Sequence, residues 1–223
     1  MISILMPIYN GIEFIDESVS SVLNQTYTHW ELILGINGHP QNSEVYQIAK
    51  KYEEKNEEKN ENIKVIDFFH LKGKSVTLNE MVKHCKYNYV AILDVDDIWH
   101  EQKLEVQSPF LNTYDVIGTL CIYFGGMDGM PGIPSGDLKN QDFFHFNPII
   151  NSSSLIRKEL CHWNAKYDGV EDYDLWLTLK KRGCSFYNCS KVLVKHRIHN
   201  QSSFNSKGNT NKVPELLNYH RNN

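Results

Sequence analysis

No run of apolar residues in this 223-residue chain approaches the roughly 20 that a membrane-spanning helix needs. Charge of one sign is equally scarce. The 23 basic and 27 acidic residues leave a net charge of −4, with no basic stripe to meet nucleic acid or an anionic membrane surface. Cysteine is sparse and scattered: Cys85, Cys121, Cys161, Cys184 and Cys189 are odd in number and lack the paired spacing of a zinc site or a secreted disulfide framework. They read as reduced thiols of a cytoplasmic protein. The opening residues MISILMPIYN carry no basic stretch and turn polar after eight positions, so they read as part of the fold and not as a leader. What is present, 41% hydrophobic and 22% charged residues, is the composition of one globular domain.

The first half alternates strand and helix. Apolar runs at 2–8, 31–36, 63–69 and 87–93 read as strands, and helical spacing appears over 12–25, 45–52 and 75–85. Asn10 is the expected cap of the first helix. Strands separated by helices of this length predict βαβ units and a mainly parallel sheet. The second half is less regular. A strand is expected over 115–124, a helix over 170–182 closed by Gly183, and a last strand over 186–198. Between them, 125–143 holds five glycines and two prolines and reads as a mobile loop. The tail from 205 reads as polar and frayed, with room for a short helix over 213–219. No repeat and no internal boundary is visible.

Three clusters carry chemistry. Asp94, Asp96 and Asp97 follow an apolar strand, the place where open α/β sheets bind ligands. Like charges there repel unless neutralised, and a hard divalent cation with phosphate oxygens does so. Glu171-Asp172 opens a predicted helix. Such a carboxylate suits a general base, and it equally suits the helix dipole. Lys195-His196-Arg197-Ile198-His199 puts basic groups at a strand end, where His can ligate a metal and Arg can neutralise phosphate, or where both simply face solvent.

In order along the chain stand MPIYNG, NQTYTHWELI, KGKSVTLN, LDVDDIW, KLEVQ, GVEDYDLWL and RIHNQSS. Together they resemble family 2 glycosyltransferases of the GT-A fold, over roughly residues 1–204. The resemblance implies a Rossmann-like mixed, mainly parallel sheet flanked by helices. Residues 1–99 would form a nucleotide-binding half, 100–204 an acceptor-binding half, and 205–223 a polar tail. It implies inverting transfer of a sugar from a nucleotide-diphosphate sugar, UDP favoured, to an acceptor hydroxyl, with Mn²⁺ or Mg²⁺.

By position, Pro7 and Tyr9 would pack on the base, with Lys72 and Asn79 lining base and ribose. Asp94 and Asp96 would contact ribose and sugar. Asp96, Asp97 and His199 would hold the metal, and Arg197 the diphosphate, with Ser202 nearby. Asp172 matches the catalytic base, with Glu171 and Trp176 on the acceptor side. The family's Asp-Asp pair after the second strand is here Ile36-Asn37, so an amide replaces the carboxylate that reads the base. That departure admits a weakly active or binding-only relative as the alternative. A nucleotidyltransferase fits less well, since PIYNGIEF lacks the glycine-rich basic loop that chemistry uses. The acceptor, a glycan or another hydroxyl, is not readable, and peripheral membrane contact stays open.

Overall fold

The computed structural model describes residues 1–57, 62–199 and 209–223. Ser202 lies outside them. Four parallel strands build the first half: β1 (Ile2–Ile8), β2 (Trp30–Asn37), β3 (Ile63–Phe68) and β4 (Tyr89–Ile92), in the order β3-β2-β1-β4. All seven residues of β1 and all eight of β2 are buried, as an apolar strand covered on both faces requires. Helices α1 (Ile15–Leu23) and α2 (Glu44–Glu57) cover one face, and α3 (Lys74–Lys83) the other. The start of α1 is set by Gly11, at φ 84°, and a short 3-10 turn over Ile12–Phe14, with no side-chain cap from Asn10.

The second half extends the same sheet. The strands β5 (Ile98–Trp99), β6 (Val116–Gly125), β7 (Gly136–Asp137), β8 (Leu155–Arg157) and β9 (Phe186–Ile198) continue the order as β4-β8-β6-β9-β5, with β7 also on β9. Here β6 and β9 are parallel, and the other pairings are antiparallel. The result is the expected mixed α/β sheet flanked by helices. The short helix α4 (Lys103–Gln107) follows β5 and braces it from inside. Fully buried Lys103 lies 3.9 Å from the Trp99 ring centroid and donates to Gln107, whose amide holds the carbonyls of Ile117 and Ser153.

Two expectations change. The glycine-rich segment is pinned instead of loose: Gly126 N–H bonds to Ile198 O, Tyr123 N–H to Gly129 O, and Asn188 Nδ2 to Pro134 O. From Leu138 to Ile149 the chain then runs beside helix α5 (Glu171–Lys181), whose Tyr173, Trp176 and Lys180 side chains donate to backbone carbonyls along it. Nor is the tail only polar. Helix α6 (Lys212–Asn222) buries Leu216 and docks on α5 through His220 and Asp174, both nearly solvent-free and 2.8 Å apart. Sequence patterning shows little of this, because scattered polar contacts, Lys212 Nζ on Asp168 O and Lys166 on Glu215 among them, anchor the helix beside a single fully buried apolar side chain.

Candidate active site

The carboxyl ends of β1, β2, β4 and β9 meet the start of α5, and most candidate residues gather there. Pro7 lies in β1 in register with Gly35, and Tyr9 follows on the exposed side. The Tyr9 ring lies 5.5 Å from that of His39, and Gly38 makes this approach possible. Its φ of +75° is left-handed, and a Cβ there would sit 2.5 Å from the Tyr9 ring. Beside them Asn37 is 2% exposed, and its Oδ1 has no hydrogen-bond partner. A buried acceptor left open in this way suits a donor brought by a ligand.

After β4 the chain turns tightly, with Asp97 N–H bonding to Asp94 O at 3.0 Å. The three carboxylates then serve differently. Asp94 accepts from the Asn151 amide at 3.0 and 3.3 Å and from Lys74 Nζ at 2.6 Å. Burial would raise its pKa, but the Lys74 charge and the hydrogen bonds from Lys74 and Asn151 together outweigh this and hold it below the usual carboxylate range. Asp96 faces His199, with Oδ2 2.8 Å from Nε2. Burial first, then Asp97 and Asp94, push it up to about 6. Asp97 is wholly buried: its Oδ1 accepts from Arg197 N–H at 2.8 Å and its Oδ2 pairs with His196 Nδ1 at 2.9 Å. Burial opposes charge on His196, yet Asp97, with Asp96 and Asp94 behind it, prevails and lifts it to about 9.

Asp96 and His199 therefore fit a divalent cation by ligand type, one carboxylate and one imidazole side by side, to which a donor's phosphate oxygens would add further ligands. Asp97 does not fit, because both its oxygens are engaged inside the fold. Among the described residues no three His, Cys, Asp or Glu side chains form a metal cage.

Arg197 also departs from expectation. Its guanidinium lies between the rings of Phe14 and Phe124, at 4.2 and 4.4 Å, and reaches Glu17 at 3.0 Å. Its Nε donates to Asp96 O at 2.9 Å, so it clamps the acidic turn instead of reaching toward a diphosphate.

On the other side of the site, α5 opens with Glu171 and Asp172. Glu171 is 4% exposed, accepts from Gly169 N–H at 2.6 Å and lies 3.2 Å from Lys74 Nζ. Asp172 accepts from Asn147 Nδ2 at 2.9 Å. Burial, then the Glu171 charge, push Asp172 up to about 6. A base with that pKa is ionised at neutral pH and still able to take a proton.

Lys74 was not singled out in the sequence, yet it joins the two carboxylate groups. It is the first residue of α3, and Asp168 Oδ1 accepts from Ser75 N–H at 2.9 Å to hold that helix end against the α5 side. Gly73, at φ +113°, leaves space for Asp168, whose Oδ2 would lie 2.4 Å from a Cβ there. The exposed neighbour Lys72 lies on the loop. Asn79 is committed elsewhere, both ends of its amide bonding the Trp163 backbone at 2.7 and 2.9 Å. Trp176 is a core residue with no exposed surface, its indole N–H on Ile149 O, so it does not face an acceptor. A cleft of about 540 Å³ lies against β6 and β9, lined by Ile122, Tyr123, Phe124, Asp128, Met130 and Lys195.

The sequence matches the family model described as Glycosyl transferase family 2 over residues 3–161. The O-antigen biosynthesis glycosyltransferase WbnJ of Escherichia coli is 30% identical over 214 residues, covering 91% of this chain and 82% of that protein. The E. coli UDP-Glc:alpha-D-GlcNAc-diphosphoundecaprenol beta-1,3-glucosyltransferase WfgD is 29% identical, covering 97% and 82%. Among solved structures, S. aureus TarS in complex with UDP-GlcNAc superposes with a TM-score of 0.76 at 17% identity, over 98% of this chain and 66% of that one. The mannosyltransferase PcManGT of Pyrobaculum calidifontis, with GDP-Man and Mn²⁺, gives 0.73 at 12%, over 97% and 62%. These two share the fold, and this chain spans about two thirds of each.

Proposed function

The chain belongs to glycosyl transferase family 2 and is a nucleotide-sugar-dependent glycosyltransferase; from that premise we propose that it is a metal-dependent, inverting enzyme with Asp172 as its general base and a saccharide hydroxyl as its acceptor. The observation that carries this reading is Asp172 itself. It is set beside Glu171 and Lys74, across the Lys74 bridge from Asp94, with its pKa raised to about 6. Asp172 removes the proton of the acceptor hydroxyl as that oxygen attacks the anomeric carbon. The nucleoside diphosphate leaves from the opposite face.

Asp96 and His199 would hold Mn²⁺ or Mg²⁺, which when bound would neutralise charge on the diphosphate. Tyr9 and Pro7 flank the base, and the open Oδ1 of Asn37 takes its N–H, an acceptor that suits uracil N3–H. WfgD, named for a UDP-glucose donor and a GlcNAc-diphosphoundecaprenol acceptor, supports a UDP-sugar donor and a saccharide acceptor here.

A thermal-shift panel tests the donor side. UDP-, GDP-, dTDP- and CMP-sugars are each added with and without Mn²⁺, to the wild type and to Asp96→Asn. Binding to the folded state stabilises it by about 2.7 kcal/mol at a hundredfold excess over Kd. The expected result is a Mn²⁺-dependent rise with UDP-sugars that Asp96→Asn abolishes. A rise with another nucleotide class alone would overturn the uracil reading, and no rise with any donor would overturn the transferase mechanism.

A further inference from the structure

Apart from the Asn147–Asp172 hydrogen bond, the segment Leu138–Ile149 has no role in the chemistry described so far, yet α5 fastens it along its length. Tyr173 Oη donates to Phe143 O at 2.6 Å, Trp176 Nε1 to Ile149 O at 3.0 Å, and Lys180 Nζ to Leu138 O at 2.8 Å. From the sheet side, Asn188 Nδ2 donates to Pro148 O at 2.8 Å. The carbonyls of Phe143 before Asn147 and of Pro148 and Ile149 after it are thus engaged, and Pro148 restricts the backbone next to it.

The Asn147 side chain is oriented as well. Its Oδ1 accepts from Ile149 N–H at 3.4 Å, a local turn that leaves only Nδ2 to face α5. That Nδ2 donates to Asp172 Oδ2 at 2.9 Å. Glu171 on the same helix repels charge on Asp172, and Lys74 on α3, shared with Asp94 and Glu171, favours it. Against this background a neutral donor fixed on one oxygen does two things. It favours the ionised form, and it settles which oxygen is taken.

We infer that Asn147 is a positioning residue for the general base, its amide holding Oδ2 of Asp172 so that Oδ1 receives the proton of the acceptor hydroxyl. This rests on the reading of Asp172 as the base. The transfer itself balances without Asn147: one C–O bond breaks at the diphosphate, one forms to the acceptor, and the proton ends on Asp172.

Two measurements separate this inference from the transferase reading. The first is carboxyl ¹³C NMR of aspartate-labelled protein, with the Asp172 signal identified by its loss in Asp172→Asn. Its midpoint is expected near 6 in the wild type. In Asn147→Ala, where a bond to the charged form is gone, it rises by about one pH unit. Asn147→Asp keeps the shape and replaces the donor by a carboxyl. It is expected to move the midpoint the same way and further, and it serves if Asn147→Ala fails to fold.

The second measurement is the pH profile of kcat/KM for the acceptor, whose acid limb should shift in the same direction as the NMR midpoint while the donor KM stays unchanged. An Asp172 midpoint that does not move in either variant overturns the inference, whatever the activity. A midpoint that moves in a protein that transfers no sugar leaves Asn147 acting on Asp172 and removes the assignment of Asp172 as the base.

Discussion

Replacing Asp172 by Asn is expected to lower kcat by roughly 10²–10⁴-fold, the usual contribution of a positioned general base. Donor binding should persist, because the side chain lies on α5, away from the Tyr9–Asn37 slot and from the Asp96–His199 pair. In the wild type, activity should climb as pH rises through about 6, where Asp172 loses its proton. The same group makes a second prediction, on stability. Its folded pKa lies above the ordinary aspartate value of 3.8, so its contribution is intact below pH 4 and declines as pH rises through about 6. At pH 7 the ionised carboxylate therefore opposes folding, and Asp172→Asn should melt higher than the wild type. Below pH 4 the two should melt together. Thermal melts at the two pH values, alongside kcat, separate loss of the base from loss of the fold. A variant that melts lower at pH 7 would mean that Asp172 is held by partners stronger than Glu171 repels it.

Lys74→Met removes the cation between two carboxylates. Lys74 Nζ lies 2.6 Å from Asp94 and 3.2 Å from Glu171, and Glu171 is nearly buried. Breaking a buried pair by removing one partner strands the other and typically costs 3–5 kcal/mol. Lys74 retains about a quarter of its side-chain exposure, so a value near 3 kcal/mol is expected. At this chain length that lowers Tm by roughly 6–12 °C. Lys74→Arg should recover most of the loss in stability. The effect on transfer should exceed the effect on folding, since Asp94 and the Glu171-Asp172 pair would no longer be held toward a common point. Urea titration gives the first quantity, and kcat measured well below the melting temperature gives the second. A loss of less than 1 kcal/mol would mean that solvent already screens the bridge.

Much of the fold was legible. Apolar runs placed β1 to β4 to within about two residues, most clearly β1, β2 and β4, since a strand covered on both sides needs an uninterrupted run. The acidic turn after β4 and the carboxylates opening α5 were legible for the same reason, as both follow a clear periodic element. Other features depend on tertiary contacts that one-dimensional patterning does not hold. Asp97 and Asp96 are adjacent and chemically identical, yet β9 offers a backbone N–H and His196 to one, and the residue just past its end, His199, faces the other. Asn79 sits in a helix as a polar residue would beside a ligand, and the Trp163 backbone takes both ends of its amide. Lys72 and Lys74 differ by two positions, and only the helix start fixed by Asp168 turns Lys74 inward. Asn147 stood in a segment with no period at all. Its one visible signal was the Asn-Pro pair, which marks a turn but not what the turn presents.

The most direct measurement is the configuration of the sugar first released from a UDP-α-sugar with Mn²⁺, followed by ¹H NMR for the wild type and Asp172→Asn. Attack opposite the departing diphosphate by a nucleophile that Asp172 deprotonates predicts the β-anomer as the initial product, or the β-linkage once an acceptor is supplied. It also predicts almost none of either from Asp172→Asn. An α-configured initial product, or turnover undiminished in Asp172→Asn, would contradict it.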